Sequence, residues 1–454
     1  MARISRPIRF VDLFAGLGGF HAGLTKLRGV RTRCVFASEL DEELRSLYMR
    51  NFGQQCHGDI TQIDERDIPP HEILCAGFPC QPFSKAGEQK GLKCGQNGNL
   101  FEGHLLRIIR HHRPPLLLLE NVPNLKRHNG GRTWDRMKAL LESDELGYEV
   151  ETEILSPHKF GIPQVRDRMY IVASRIGKRL NNFHWPRESR NTPSIYDVLD
   201  DNPKDARPLP AHYADAMKVW NEFLKRFSKH RELPSFPIWA MEFGANYPAS
   251  TEEGFPGLLT ERQLCHYRGY FGQPLREIPN GQRLESLPTY AQDPTFPQWK
   301  QKFIQQNRQL YAENRSWIKG WKKQLEFFAP SLQKFEWNCK GETRNIWRHV
   351  IQFRASGIRV KRATSAPALV AMTTTQIPVI ASKRRYMTVR ECAALQCLEG
   401  LAELPSTQGR AFKALGNAVN AKMVHRIASR LINASPVIPH SRGRARSLAL
   451  QSRA

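Results

Sequence analysis

Nine cysteines in a 454-residue chain form no CxxC pair and no Cys/His cluster with zinc-site spacing. The odd, scattered set excludes a disulfide-stapled scaffold and fits free thiols in a reducing compartment. Long apolar runs are missing too. Nothing approaches 18 consecutive apolar residues, and the opening MARISRPIRF has no apolar core of the secretory kind. A membrane span and secretion are therefore not expected. No internal repeat is present, which sets solenoids aside. Acidic residues are scarce: 43 Asp and Glu stand against 68 Lys and Arg, a net charge of +25 with a pI near 9.9. That balance points to a polyanionic partner, nucleic acid first.

A chain this long exceeds what one core usually holds, so two lobes are expected. The first 175 residues alternate regularly. Strands are read at IRFVDLF (8–14), RCVFASE (33–39), ILCAGF (73–78), PPLLLLEN (114–121) and RMYIVAS (168–174). Between them lie helices from His21 to Leu27, at DEELRSLYMRNF (41–52) started by Asp41, and at LFEGHLLRIIRHH (100–112). Apolar strands alternating with helices predict a doubly wound, parallel α/β sheet covered on both faces, with ligands at the carboxyl ends of the strands. Residues 179–380 break the pattern: they are rich in proline and tryptophan and show few strand runs. WIKGWKKQLEFF (317–328) reads there as a basic helix with an aromatic side. Regular structure returns at TVRECAALQCLEG (388–400), capped by Thr388, and at LGNAVNAKMVHRIASRL (415–431), read as one helix. The expected division is 1–178, an inserted 179–380, a return at 381–435, and a basic tail at 436–454 without fixed structure.

FVDLFAGLGGF (10–20) sets Asp12 and three glycines at a strand end, where the backbone can turn tightly against a ligand. A dinucleotide fingerprint needs glycine at position 21, but His21 stands there, so hydride chemistry is not indicated. Glu39 ends the second strand, where an acid commonly takes ribose hydroxyls; Asp59 follows in CHGDI. Alone, either acid could be a helix cap or a surface charge. With the glycine turn they indicate a nucleoside-type cofactor. Cys80 sits between Pro79 and Gln81-Pro82, just past ILCAGF, on a loop the prolines stiffen. A thiol there is either a small buried hydrophobe or, among basic groups, a nucleophile. Glu120 closes a wholly apolar strand, and partial desolvation would raise its pKa; a helix cap is the other reading. Gln164, Arg166 and Arg168 alternate in GIPQVRDRMYIV, so all three project from one face if the segment is extended.

In order, FVDLFAGLGGF, GFPCQPFS, ENV, QVRDR, TVRECAALQ and LGNAVN resemble the ordered blocks of the cytosine-C5 DNA methyltransferase family, of the bacterial restriction–modification type. The resemblance covers residues 10–175 and 380–430. It implies an S-adenosylmethionine-dependent methyltransferase fold, Rossmann-like, with an inserted target-recognition domain. Cys80 would attack carbon 6 of a flipped-out cytosine in double-stranded DNA. Glu120 would hold the ring at N3 and the exocyclic amine, and Arg168, with Arg166 and Gln164 behind it, the O2 side. S-adenosylmethionine, with no metal, would lie on Asp12 and on Phe14, Ala15, Gly16, Leu17, Gly18 and Gly19. Glu39 would take the ribose, Asp59 with Ile60 the adenine, and Pro79, Asn417, Ala418 and Val419 would close the site. Asp41 or Glu42 could share the role of Glu39. For DNA contact the candidates are Ser84, at a position where family members vary, and Arg359, Lys361 and Arg362. The last three lie in FRASGIRVKRATSAP (353–367), read as a groove-entering loop; a solvated charge run is the other reading. The resemblance further implies a cytoplasmic, nucleoid-associated monomer paired in function with a restriction endonuclease. A tRNA cytosine-5 methyltransferase usually has a shorter recognition region, and an inactive DNA-binding homologue tends to lose the thiol or the glycine turn.

Overall fold

The computed structural model describes residues 6–79, 100–175, 180–369 and 376–435. They form two compact units, one of Met1–Leu199, Ala368–Thr374 and Val389–Ala454, the other of Asp200–Pro367 and Thr375–Thr388.

The first unit is built on a six-stranded sheet. Its strands are β1 (Ile8–Leu13), β2 (Thr32–Ser38), β3 (Ile73–Ala76), β4 (Leu116–Asn121), β5 (Tyr148–Leu155) and β7 (Arg168–Arg175), in the order β2-β1-β3-β4-β7-β5. β1 runs parallel to β2 and β3, and β3 to β4; β7 is antiparallel to both β4 and β5. The expected parallel sheet is thus a mixed one. Reversal of β7 needs only a connection over the sheet edge, which an apolar strand pattern cannot distinguish from a crossover.

Alternate residues of the central strands enter two cores. Val11, Leu13, Leu74, Leu117 and Leu119 pack on one face; Phe10, Cys75, Leu116 and Leu118 pack on the other. Helices cover both faces, as the apolar runs predict. Leu116 to Leu119 are fully buried, each contributing about 2 kcal/mol of transfer free energy at most. The helices are α1 (Gly19–Leu24), α2 (Glu42–Phe52), α3 (Leu106–His112) and α4 (Arg132–Glu142). The N-terminus of α2 is capped as expected, the Asp41 carboxylate accepting from the Leu44 amide at 3.2 Å.

Where one C-terminal helix was expected over 415–431, the chain forms two. After α8 (Val389–Leu395, in the second part of this unit) come α9 (Gln408–Asn417) and α10 (Ala421–Ala434). Asn420 breaks the run: its side chain accepts from the Met423 amide as an N-cap and donates to the Leu395 carbonyl at 3.0 Å. LGN therefore ends a helix instead of starting one.

The second unit holds α5 (Ala211–Arg226), α6 (Gln298–Glu313) and α7 (Arg315–Trp321). Its sheet contains β8 (Ile238–Trp239), β9 (Lys334–Asn338), β10 (Val350–Arg354), β11 (Gly357–Lys361), β13 (Val379–Ile380) and β14 (Arg385–Tyr386), ordered β14-β13-β10-β11-β9-β8. Two short strands, β6 (Gln164–Val165) in the first unit and β12 (Ala366–Pro367) in the second, belong to neither six-stranded sheet. Tryptophans make the core of this unit: Trp220 is fully buried, stacked on Phe335 at 4.7 Å and edge-on to Trp321 at 5.2 Å. WIKGWKKQLEFF does start as a helix, but α7 ends at Trp321. The supposed loop over 353–367 is in large part strand: β10 and β11 form a hairpin that turns between Arg354 and Gly357.

Candidate active site

Register places the candidate residues in one row. Leu13 lies opposite Ser38 of β2 and Ala76 of β3, and Ala76 opposite Leu119 of β4. The next residues along, Phe14, Glu39, Gly77 and Glu120, therefore line the carboxyl edge of the sheet side by side. Because β7 is reversed, it starts at this edge, with Met169 opposite Asn121 and Arg168 one residue before.

At the first strand end the backbone enters left-handed conformations at Phe14 (φ 57°), Gly16 (φ 52°) and Gly18 (φ 76°). For phenylalanine this is unusual, and hydrogen bonds fix the turn: the Ala15 amide donates to the Ser38 carbonyl, and the Gly16 amide to Glu39 Oε2 at 2.8 Å. The other Glu39 oxygen accepts from the Asp41 amide at 3.0 Å. Glu39 is thus held by two backbone donors and remains half-buried. A Cβ built on Gly16 meets nothing within 4 Å, which leaves open space against the turn. Leu40, which belongs to no motif of the sequence, is 71 % exposed beside Glu39. Asp59 is half-buried and caps a short 3-10 turn, accepting from the Thr61 amide at 2.9 Å; Ile60 behind it is buried. Ala15 and Leu17 are buried too.

Asp12 has no exposed surface. Its carboxylate accepts from the Tyr48 hydroxyl at 3.2 Å, and that hydroxyl lies 2.8 Å from Nδ1 of His21. Burial pushes the Asp12 carboxyl up to about 8 and the His21 imidazole down to about 4. This buried network links the end of β1 to α1 and α2, the elements that flank the glycine turn.

At the other end of the row Glu120 is buried and paired with Arg168, Oε1 to Nε at 2.9 Å. Burial raises the Glu120 carboxyl above its ordinary range, against the opposing pull of Arg168 and Arg166. Arg166 is 2 % exposed, and its Nη2 donates to the carbonyls of Gly416 (2.7 Å) and Ala418 (3.0 Å). The expected common face is therefore not that of a continuous strand, since 166 and 167 separate β6 from β7. Gln164 is wholly buried, and neither amide atom has a hydrogen-bond partner. Such an amide is costly unless a ligand or a movement satisfies it. Asn121, unmarked by the sequence reading, donates to the Phe78 carbonyl at 3.2 Å and so ties β4 to the segment entering Pro79. Cys80 and Ser84 lie outside the described residues; Pro79, half-buried, is the last one before them.

The C-terminal return closes on the same edge. Asn417 is exposed, Ala418 buried, and Val419 presses on the glycine turn. A Cβ on Gly19 would sit 2.3 Å from the Val419 carbonyl oxygen, and one on Gly77 3.1 Å from the Val419 side chain. Gly19→Ala is accordingly expected to cost about 1–3 kcal/mol, read as a drop of several degrees in Tm by calorimetry. Gly58→Ala, where a Cβ meets nothing within 4 Å, is the neutral control; equal melting of the two would contradict the close approach.

In the second unit Arg359 of β11 pairs with Glu336 of β9 at 3.1 Å, and Arg354 of β10 pairs with the same carboxylate. Burial holds the Lys361 ammonium below its usual range. Exposed Arg362 makes an ion pair with Glu342 at 3.5 Å. Arg359 is thus a sheet residue with a counter-charge, contrary to the loop reading. Among the described residues no group of three or more His, Cys, Asp or Glu is arranged to hold a metal ion, and no helix is long and apolar enough to cross a membrane.

The sequence model described as C-5 cytosine-specific DNA methylase matches residues 8–236 and 268–433. The Type II methyltransferase M.AluI of Cellulosimicrobium cellulans is 32 % identical, over 94 % of this chain and 92 % of its own length. The Type II methyltransferase M.HhaI of Haemophilus parahaemolyticus is 38 % identical over 42 % of this chain and 57 % of its own. In three dimensions the chain resembles a prophage-encoded E. coli protein described as a DNA modification methyltransferase, with a TM-score of 0.51, 15 % identity, and coverage of 94 % of this chain and 99 % of the other.

Proposed function

We propose a mechanism for a chain that belongs to the C-5 cytosine-specific DNA methylase family and is, as such, a DNA (cytosine-5-)-methyltransferase: covalent catalysis by Cys80 on a cytosine turned out of the duplex. The observation that carries it is the shared sheet edge on which Glu39, Gly77 and Glu120 stand side by side, with the Phe78–Pro79 segment entering Cys80 directly beyond.

Carbon 5 of cytosine is a poor nucleophile. Addition of the Cys80 thiolate to carbon 6 pushes the ring electrons to carbon 5, which can then take a methyl group. Loss of the carbon 5 proton returns the carbon–sulfur electron pair to the thiolate and restores the ring. Glu120, whose carboxyl burial raises above its ordinary range, is the group placed to give a proton to N3 as the thiolate adds and so to lower the charge that develops there. Arg168, paired with Glu120, orients it and faces the O2 side. Arg166 stands behind it and fastens the loop to the Gly416 and Ala418 carbonyls. The unsatisfied Gln164 amide suits a partner that arrives with the substrate. The target carbon is unreachable inside a stacked duplex, so the base must be flipped out.

The family implies S-adenosylmethionine, which supplies an electrophilic methyl group when bound. The residues fit it. Glu39 offers acceptor lone pairs to ribose hydroxyls, Leu40 and half-buried Phe14 offer apolar faces, and the space against Gly16 lets the ligand approach the backbone. Asp59, Ile60, Pro79, Asn417 and Val419 would complete the pocket. The second unit would read the target sequence, with Lys361 and Arg362 toward phosphates and the Glu336-paired Arg359 keeping their strand in place. The protein would act in the cytoplasm, as a monomer, as the protective counterpart of a restriction endonuclease; the Type II designation of its relatives supports the last of these roles.

Incubation of the purified protein with S-adenosylmethionine and unmethylated genomic DNA, followed by conversion sequencing, should give 5-methylcytosine confined to one short motif. A folded, cofactor-binding protein that methylates no DNA would overturn the reading; transfer to tRNA alone would replace it.

A further inference from the structure

Away from the carboxyl edge, the first unit carries a cleft of about 520 Å³ lined by Asn182, His184, Arg187, His425, Arg426 and Arg430, with Ser429 and Asn433 between. Topology puts it at the opposite edge of the sheet. α10 begins beside Val419, at the catalytic edge, and Arg430 lies roughly 14 Å further along its axis. β7, being reversed, ends at the far edge, and residues 182–187 follow it.

The lining has one sign of charge. Arg426 and Arg430 are four residues apart, so their Cβ atoms stand about 6 Å apart along one helix face. Each spends one nitrogen on anchoring: Arg426 Nη2 donates to the Phe160 carbonyl at 3.2 Å, and Arg430 Nη1 to the His184 carbonyl at 3.4 Å. Among the described residues neither these two nor Arg187, His184 or His425 makes an ion pair with a carboxylate. The nearest acid in sequence, Glu188, is taken up by Lys159 at 2.9 Å. His425 Nδ1 is buried without a partner. Elsewhere in this unit arginines meet acids routinely, as in Arg9–Glu72, Arg107–Glu65 and Arg136–Glu102. Three guanidiniums left without counter-charge around an open cleft are arranged for an anion with several charged groups.

We propose that this cleft binds the phosphodiester backbone of a DNA segment other than the one held at the active site. Two arginines a helical turn apart can each take one of two neighbouring phosphates on a strand, while Arg187 meets them from the facing segment. A contact there carries no sequence information. It adds affinity for non-target DNA and a second hold from which the enzyme can pass between segments. The inference rests on the reading that the chain acts on duplex DNA.

The test is the double charge reversal Arg187→Glu/Arg430→Glu, with Arg187→Glu alone as the variant on an exposed side chain in case the double does not fold. Binding to a 40-base-pair duplex lacking the methylated motif would be followed by fluorescence anisotropy between about 50 and 200 mM salt. The double variant should lose about two from the slope of log affinity against log salt, at about 0.9 per phosphate, and the single variant about half that. Methyl transfer to a short duplex carrying one motif should keep its kcat. An unchanged slope overturns the proposal. So does an unchanged slope with loss of inorganic phosphate binding, seen as lost shifts of the His184 and His425 ring resonances, since the site would then serve a small anion. If the parent protein methylates no DNA, the functional reading fails instead, and the slope is unaffected by that failure.

Discussion

Cys80→Ser is expected to bring methyl transfer below detection, a loss of more than about 10³-fold, while binding of motif-containing duplex stays roughly as it was. The change removes one atom type and little volume. A hydroxyl ionises far less readily than a thiol, so the fraction of nucleophile at neutral pH collapses. The neighbouring supports are untouched: Asn121 still donates to the Phe78 carbonyl, and the base would still meet Glu120. Transfer of a radiolabelled methyl group and a gel-shift titration at one salt concentration read the two quantities separately. Transfer at the parent rate would remove Cys80 from the mechanism.

Glu120→Gln has the second largest expected effect, a fall in kcat of about 10²–10⁴-fold with substrate binding little changed. Glutamine keeps the shape and offers both a donor and an acceptor to the cytosine edge, so the base can still be held. What it lacks is a proton to give. The charge consequences follow from geometry, since Arg168 at 2.9 Å and Arg166 nearby would face a neutral amide in a buried site. Partial loss of thermal stability is therefore expected beside the loss of rate. The pH profile separates the two. Burial raises the Glu120 carboxyl, so the acidic form persists upward in pH and the parent rate falls on the alkaline side as that proton leaves. Thiolate formation at Cys80 raises the acid side of the same bell. The glutamine variant should keep the acid limb and lose the alkaline one. An unchanged alkaline limb would mean that another group titrates there.

Much of the site was legible because its signals are local. Four short apolar strands ending in a glycine turn, an acid, a Gly-Phe-Pro and a glutamate are each visible in a few residues, and parallel register then brings them into a row. What escaped depends on partners far along the chain. β5 reads YEVETEIL, charged at alternate positions because it is a sheet edge, and so resembles a surface segment. The direction of β7 is not a property of its own sequence. Arg166 reads in sequence as a support behind Arg168, and only the fold shows that its guanidinium donates to a carbonyl 250 residues away. The sheet of the second unit hid for another reason. Its strands run from two to five residues and carry Glu336, Arg354 and Arg359, whose charges satisfy one another across the sheet. Asn417 and Asn420 of GNAVN look interchangeable in sequence, yet one is exposed and the other is a buried helix cap.

The grip of Arg166 on Gly416 and Ala418, and the seat of Val419 against Gly19, also set a clock on synthesis. Every strand of the first sheet has been synthesised by residue 175, yet the pieces that lock its catalytic edge come more than 200 residues later. At typical rates of about 5–20 residues per second, the nascent chain spends on the order of tens of seconds with its glycine turn uncovered. During that interval a half-made enzyme on the ribosome lacks the latch its cofactor edge needs.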